Sequence, residues 1–283
     1  MSRIAVVTDT NSSITAEEAE KLGIYMIPMP IIIDGEGYSD GVDCSYEQFF
    51  EKLENGADVS SSQPSPYSVT SVWDKVLKEY DEIIHIPMSS ALSASYETAE
   101  GLARNYAGRV HVIDNKRISI SQRRSVLDAL CMIEKGMTAD EIAAELVCMS
   151  GESRIYLAVN TLELLKKSGR VTAAGAAVAS ILGIKPVLQI KDSKLDAFAK
   201  VRGMALAQKT MLKAVDNDLK ELDFRNVKLY LAYSGDIEPA LKWKEMCEEH
   251  FGIDDIELCM LPLSICCHVA GGVTAIGCMS AYE

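Results

Sequence analysis

The amino-acid sequence predicts an α/β fold with largely parallel sheets. Short apolar runs alternate with amphipathic stretches along the whole chain, and this alternation is typical of strands that are connected by helices. Capping residues mark the starts of several helices, such as Thr138 before Asp140 and Glu141. The chain of 283 residues is long enough for one large domain or for two ordinary ones.

The individual elements follow from this periodicity in chain order. Strands are predicted at residues 4–7, 25–33, 82–86, 110–113, 154–159, 185–190, 227–233 and 256–261. Helices are predicted at residues 15–22, 45–54, 66–80, 93–106, 119–135, 138–149, 161–167, 173–182, 203–219 and 239–250. The small and polar residues 149–153 fall between a helix and a strand. They predict a boundary between an N-terminal domain, residues 1–152, and a C-terminal domain, residues 153–283.

Composition excludes several classes of protein. The hydrophobic content of 48% and the charged content of 24% are those of an ordinary folded protein. The net charge of −13 argues against nucleic-acid binding, because Lys and Arg are needed to displace counterions from phosphates. The apolar stretches at residues 26–33 and 173–184 are shorter than the ~20 residues of a membrane span. We therefore expect a cytoplasmic protein without stable membrane insertion.

The cysteines and histidines give no sign of a metal site. None of the eight cysteines belongs to a C-x-x-C pair, and the chain has four histidines. Free, buried thiols in a reducing compartment are therefore expected. The sequence also lacks the G-x-G-x-x-G and G-x-x-x-x-G-K-[ST] patterns of nucleotide sites. We expect no metal and no cofactor.

Three hydroxyl-rich or glycine-rich segments are the candidate binding elements. They are residues 60–65, residues 89–93, and His268 with the glycine turn at residues 270–272. Ligands of open α/β sheets bind beyond the carboxyl ends of the strands, where such loops lie. Neutral hydroxyls and one imidazole suit a small anion, although each serine taken alone is also explained by turn or capping chemistry. Asp9 is expected to brace a neighbouring loop, and Gly35, Gly37 and Gly41 suggest a loop that folds back as a lid.

Charge is distributed unevenly along the chain. Residues 161–210 contain nine basic and three acidic residues, so this window carries +6 and the rest of the chain −19. Such a basic surface is either a docking face or a solvated face without a partner. The small residues 173–180 in the same window either leave room for a tunnel or allow tight helix packing.

Taken in order, the motifs of this chain resemble those of the DegV family. The matching segments are residues 8–10, 61–65, 89–96, 164–171 and 183–188, followed by His268 beside a glycine turn. The resemblance extends over essentially the full length. Its most specific features are the Ser-Gln-Pro-Ser element at residues 62–65 and the Gly-Ile-Lys-Pro element at residues 183–186.

The resemblance implies two α/β domains, with a Rossmann-like parallel sheet in the first, a mixed sheet in the second and the ligand in the cleft between them. It implies a bacterial protein that binds a long-chain fatty acid and presents it to the catalytic subunit of a fatty acid kinase, without catalysis of its own. By the same resemblance, the fatty-acid carboxylate is held by Ser61, Ser93 and His268. Second choices are Ser62, Ser90 and Arg170, while Arg170 and Arg202 match positions linked to kinase contact.

Two other functions remain open at the level of the sequence. A lipid or ester hydrolase would use Ser93 or Ser61 together with His268. The chain has no G-x-S-x-G elbow, but a pairing of serine and histidine across the chain would not need one. The third possibility is a binding protein for another small carboxylate, with no kinase partner.

Overall fold

The computed structural model describes residues 2–172 and 183–283 and confirms the α/β class. Its strands, in chain order, are β1 (Ile4–Asp9), β2 (Tyr25–Ile27), β3 (Pro30–Ile33), β4 (Glu36–Ser39), β5 (Val59–Ser61), β6 (Glu82–Ile86), β7 (Val110–Val112), β8 (Ser153–Ala158), β9 (Ile184–Lys191), β10 (Lys194–Arg202), β11 (Lys228–Tyr233), β12 (Glu257–Met260) and β13 (Thr274–Met279). Its helices are α1 (Ala16–Leu22), α2 (Tyr46–Glu54), α3 (Pro66–Val76), α4 (Ser95–Ala103), α5 (Ile120–Glu134), α6 (Ala139–Cys148), α7 (Glu163–Ser168), α8 (Met204–Glu221), α9 (Ile237–Phe251) and α10 (Leu263–Val269). The predicted helix at residues 173–182 lies outside the described residues.

The N-terminal part contains a four-stranded parallel sheet in the order β2-β1-β6-β7. All six residues of β1 are buried, because helices cover both faces of the sheet. Ile4 and Val6 pack on one face with residues of α5 and α6, while Ala5 and Val7 pack on the other with Trp73 of α3. This arrangement is the parallel sheet that the resemblance implies.

The C-terminal part contains a six-stranded mixed sheet in the order β10-β9-β8-β13-β11-β12. The pairing of β11 with β12 is parallel, and the other four pairings are antiparallel. The prediction of largely parallel sheets from the alternating pattern is therefore wrong for this sheet, whereas the mixed sheet implied by the resemblance is confirmed. The boundary after residue 152 stays a prediction.

A third, antiparallel sheet in the order β4-β3-β5 corrects two predictions. The single strand expected at residues 25–33 is two strands in different sheets, because Pro28 has no N–H with which to continue a ladder. The glycine-rich segment expected to act as a lid is a hairpin of β3 and β4. Its turn residues Asp34 and Gly35 have φ of 51° and 85°.

Helix α5 connects the two larger sheets through charged side chains. Arg123 is 6% exposed, and its guanidinium binds Glu18 of α1 at 2.9 Å and also Glu257 of β12. Its neighbour Arg124 binds Asp128 at 2.8 Å and reaches the hydroxyl of Tyr230 on β11 at 3.4 Å. These pairs fix the position of the N-terminal sheet relative to the C-terminal sheet.

Candidate ligand-binding site

A cavity lies between the C-terminal sheet and the loops at the carboxyl ends of the N-terminal strands. The cavity has a volume of about 100 Å³, whereas one water needs roughly 10–15 Å³ on the same measure. Most of its wall is apolar, and this part is lined by Ile155, Leu157, Leu165, Ile190, Leu195, Ala232, Leu261, Ile265, Val269 and Ala275. The same cavity is also lined by Ser61, Ser93 and His268. It is therefore polar in one region and apolar over most of its wall.

Ser61 and His268 form the closest polar pair in this wall. The oxygen Oγ of Ser61 lies 2.7 Å from Nε2 of His268, although the two residues are 207 positions apart in sequence. Strand pairing places Ser61, because β5 ends at this residue and pairs with Ile31 of β3. Helix α10 places His268 in its last turn.

The start of α10 is held by the buried carboxylate of Asp40. This side chain accepts hydrogen bonds from the backbone N–H groups of Leu263 at 3.1 Å and Ser264 at 3.0 Å. It also accepts the hydroxyl of Ser264 at 2.7 Å. These bonds satisfy backbone donors that a helix start leaves without partners. Asp40 follows β4, so the small antiparallel sheet positions both halves of the Ser61–His268 pair.

The imidazole of His268 is held in its neutral form. Burial lowers its pKa from 6.5 to about 4, and the nearby positive charge of Arg170 contributes in the same direction. The ring is therefore uncharged at neutral pH. Its Nδ1 makes no hydrogen bond to any residue that the structure describes. The pair consequently offers one hydroxyl and one neutral ring, not a charged group.

Ser93 lines the cavity from the loop between β6 and α4. Its hydroxyl lies 2.7 Å from that of Ser95 and accepts the Ser95 backbone N–H at 3.2 Å. The beginning of this loop is fixed by Asp9, which accepts the backbone N–H of Met88 at 2.9 Å. Burial raises the pKa of Asp9 to about 6, although hydrogen bonds from Met88 and Gln122 oppose that rise. Asp9 therefore braces the loop, as expected.

The second-choice residues are placed differently from one another. Ser62 and Arg170 line the cavity, and both side chains are exposed to solvent. Ser90 does not line it, because its hydroxyl donates to Asp114 at 2.5 Å and its backbone N–H to the same carboxylate at 3.2 Å. Arg202 is exposed at the end of β10, outside the cavity wall.

Several wall residues were missed by the sequence analysis. Asn11 belongs to the polar segment after β1, and Gln63 lies inside the hydroxyl-rich segment, where its amide oxygen accepts the hydroxyl of Thr98 at 3.2 Å. Ser264 precedes His268 by four residues, a spacing that puts both on one helix face. That spacing would have identified Ser264 if α10 had been predicted.

Other features of the described residues bear on the expectations about metals and membranes. Within residues 2–172 and 183–283, no group of His, Cys, Asp and Glu side chains could hold a metal ion. Among the helices described, none has the length and apolar character to cross a bilayer. All eight cysteines are free thiols, of which Cys148 is exposed and Cys131 is partly exposed.

The structure is an α/β fold of three sheets with a cavity that is polar in one region, and comparisons with known proteins identify its family. The model of the DegV family, described as an uncharacterised protein family, matches residues 3–281. The chain therefore belongs to the DegV family. A DegV domain-containing protein from Caldanaerobacter subterraneus subsp. tengcongensis is 30% identical over 250 residues, covering 86% of this chain and 88% of the relative. Another from Deinococcus radiodurans is 28% identical over 249 residues, covering 88% and 89%.

Solved structures share the whole architecture. A DegV family protein from Thermus thermophilus, described by its fatty acid binding, is 28% identical and has a TM-score of 0.89, covering 98% of this chain and 99% of its own. A stearic acid-binding protein from Eubacterium ventriosum has a TM-score of 0.89 at 22% identity, covering 100% and 99%. Because its sequence identity is only 22%, the similarity to the Eubacterium ventriosum protein establishes the fold alone.

Proposed function

We propose that this protein binds a long-chain fatty acid and presents its carboxylate to a kinase that forms an acyl phosphate. One observation carries the proposal: a single cavity has an apolar wall over most of its surface and the Ser61–His268 pair in its polar region. A fatty acid has the same distribution of polarity. The fatty acid binding of the Thermus thermophilus relative supports this ligand class.

Burial of the acyl chain would supply most of the affinity. One buried methylene contributes roughly 0.8 kcal/mol, so about fifteen contribute on the order of 10 kcal/mol before the costs of ordering. Six of the ten apolar wall residues named above lie on strands of the C-terminal sheet, among them Leu157 of β8, Ala232 of β11 and Ala275 of β13. The tail is therefore expected to lie against this sheet.

The Ser61–His268 pair would orient the carboxylate through neutral groups, while the exposed Arg170 in the same wall supplies a nearby positive charge. When the neutral ring of His268 carries its proton on Nε2, it donates to Oγ of Ser61. The Ser61 proton is then free to bind a carboxylate oxygen, and the hydroxyl of Ser93 supplies a second donor. An oxygen held by neutral donors keeps more of its nucleophilic character toward a phosphoryl group than one held by a cation.

The hydroxyl of Ser61 can be tested against that of its neighbour Ser60. Ser61→Ala should weaken fatty-acid binding by about 10- to 100-fold, because a hydrogen bond to a charged group contributes about 1.5–3 kcal/mol. Ser60 is exposed on the other side of the same strand, so Ser60→Ala serves as the matched control. Titration with a fluorescent fatty acid measures both. Full affinity in a Ser61→Ala, Ser93→Ala and His268→Ala triple variant would refute this head-group assignment.

Presentation to a kinase assigns a role to the basic surface. Arg202 is exposed and lies outside the cavity wall, so Arg202→Glu should reduce kinase-dependent acyl-phosphate formation while the bound lipid stays in place. Lys78→Glu is a control. The exposed Lys78 lies between α3 and the start of β6, at the end of the sheet opposite the loops of the cavity. Loss of the lipid from the Arg202 variant would contradict a docking role.

A hydrolase is the second candidate, because a hydroxyl at 2.7 Å from an imidazole also resembles a nucleophile beside its base. Such a mechanism needs a third group to orient the ring, and Nδ1 of His268 has no partner among the described residues. Organic extraction of the purified protein followed by mass spectrometry separates the candidates. A stoichiometric long-chain acid supports the carrier, whereas ester turnover that Ser61→Ala abolishes supports the hydrolase.

A further inference from the structure

The turn that follows His268 holds an alanine in a conformation that glycine alone adopts readily. Ala270 caps the C-terminus of α10 with φ of 60° and ψ of −160°, a backbone region that is strained for any residue with a Cβ atom. Such strain persists only where surrounding contacts fix the backbone, and it is concentrated at functional sites. Ala270 lies two residues after His268, so the contacts that fix this turn also bear on the imidazole.

Ser234, directly after β11, provides the first set of these contacts. Its hydroxyl donates to the carbonyl oxygen of Ala270 at 2.6 Å and accepts the backbone N–H of Val273 at 3.2 Å. Its carbonyl oxygen accepts the backbone N–H of Gly272 at 2.8 Å. Beyond the turn, β13 is buried at all six positions and pairs with both β8 and β11. A turn that relaxed would therefore displace the end of α10, which carries His268, and not the strand.

Asn160 and Lys185 provide the second set of contacts. The side-chain amide of Asn160 donates to the carbonyl oxygen of Gly271 at 3.0 Å, and Nζ of Lys185 donates to the amide oxygen at 2.8 Å. Because an ammonium group can only donate, Lys185 orients this amide with its oxygen toward β9 and its NH₂ group toward the turn. A side chain at Gly272 would overlap the Asn160 amide, so the turn and the amide are closely packed.

We propose that Asn160 and Lys185 are positioning residues of the head-group site, which hold the strained turn in place and thereby fix the imidazole of His268 against Ser61. This inference rests on the proposed fatty-acid binding and adds to it two residues outside the cavity wall. It also gives a role to the lysine of the Gly-Ile-Lys-Pro element at residues 183–186. Because their contacts end at the turn, Asn160 and Lys185 act on the carboxylate end of the ligand and not on the acyl chain.

The test measures the affinity of the purified protein for palmitic acid and for hexadecan-1-ol by competition against a fluorescent fatty acid. Asn160→Leu has a similar shape and adds no charge. It should weaken binding of the acid by about two- to tenfold, and binding of the alcohol by less, because hydrogen bonds to a charged group are stronger than those to a neutral one.

The lysine is tested with a pair of variants and a control. Lys185→Met should weaken binding of the acid in the same way as Asn160→Leu, because the amide loses the donor that orients it. Lys185→Arg retains a donor and should bind the acid nearly as the wild type does. Lys191→Met is the matched control, since it removes an exposed positive charge from the same strand.

The strain at Ala270 supplies a readout that a general loss of stability would not produce. Glycine adopts the conformation of Ala270 without strain, so in an Ala270→Gly background the turn depends less on Asn160. Asn160→Leu should then weaken binding of the acid by less than about twofold, and the two substitutions are coupled.

Several results would overturn the inference, and they differ from failure of the proposed function. If Asn160→Leu binds the acid as tightly as the wild type, the positioning role is refuted while fatty-acid binding stands. Equal losses for the acid and the alcohol, or the same loss with and without Ala270→Gly, would show that Asn160 acts only on the stability of the fold. Failure of the wild-type protein to bind palmitic acid contradicts the proposed function itself.

Discussion

At the scale of single residues, the site depends on neutral donors whose protonation is set by burial. Ser61, Ser93 and His268 were singled out in the sequence by their residue types and by the family motifs, and all three line one cavity. Asn11 and Ser264 were not identified, because an isolated Asn or Ser is equally typical of a turn and the helix that carries Ser264 was not predicted. Their roles follow from contacts between segments more than 250 residues apart.

The pKa of His268 predicts a pH dependence of stability. Folding lowers this pKa from 6.5 to about 4, so between these values the unfolded chain binds more protons than the folded protein. The contribution of His268 is therefore complete above pH 6.5 and is lost as the pH falls toward 4. Between these limits, the wild type should lose up to about 3 kcal/mol more unfolding free energy than His268→Gln.

Urea unfolding at several pH values measures this difference directly. The comparison with a variant is needed because two other buried groups titrate in the same range. The pKa of His85 is lowered to about 3 and acts in the same direction, whereas that of Asp9 is raised to about 6 and acts in the opposite direction. Identical pH slopes for wild type and His268→Gln would show that the ring is not held neutral by the fold.

At the scale of elements, the strands of the parallel sheet were predictable from the sequence, whereas the antiparallel strands β4, β5, β10 and β13 were not predicted. The strands of the parallel sheet are continuous apolar runs between amphipathic helices, which is a strong local signal. Strand β13 is buried at all six positions, but its Thr274, Gly277 and small residues do not resemble such a run. The hairpin of β3 and β4 did have a signal, the Asp34-Gly35 pair, which is typical of tight hairpin turns.

The small sheet positions α10 through Asp40, whose carboxylate accepts hydrogen bonds from the start of that helix. Asp40→Ala should lower the unfolding free energy by at least about 2 kcal/mol, since it leaves the buried donors of Leu263 and Ser264 unpaired. It should also weaken fatty-acid binding, because His268 lies on the same helix. Asp43→Ala is the matched control, as it removes a single exposed contact with Ser39. An Asp40 variant as stable as this control would disprove the anchoring role.

At the scale of the whole molecule, the two larger sheets are joined by α5, and the cavity uses residues from both sides. Arg123 is buried between Glu18 and Glu257, which belong to different sides of this junction. These ion-pair partners cannot be predicted from the sequence, because Glu18, Arg123 and Glu257 are widely separated along the chain. Only the folded structure shows that Arg123 links the two parts of the molecule through Glu18 and Glu257 and is not part of a basic surface.

Removal of Arg123 tests the strength of this junction. Arg123→Ala should lower the unfolding free energy by about 1.5–3 kcal/mol, because it removes charge-assisted contacts with Glu18 and Glu257, whose carboxylates are 37% and 40% exposed and keep part of their hydration. Arg3→Ala removes an exposed pair with Asp81 and should cost less than about 1 kcal/mol. Equal losses for the two variants, measured by urea unfolding, would contradict a structural role for the junction.

The central claim is that one cavity holds an acyl chain against the C-terminal sheet with its carboxylate at Ser61 and His268. A crystal structure of the protein with a bound long-chain fatty acid tests it most directly. We expect a carboxylate oxygen within hydrogen-bond distance of Oγ of Ser61, and the chain running between β8 and α10 past Leu157. A fatty acid bound on the outer surface, or inserted with its carboxylate at the apolar wall, would contradict the account.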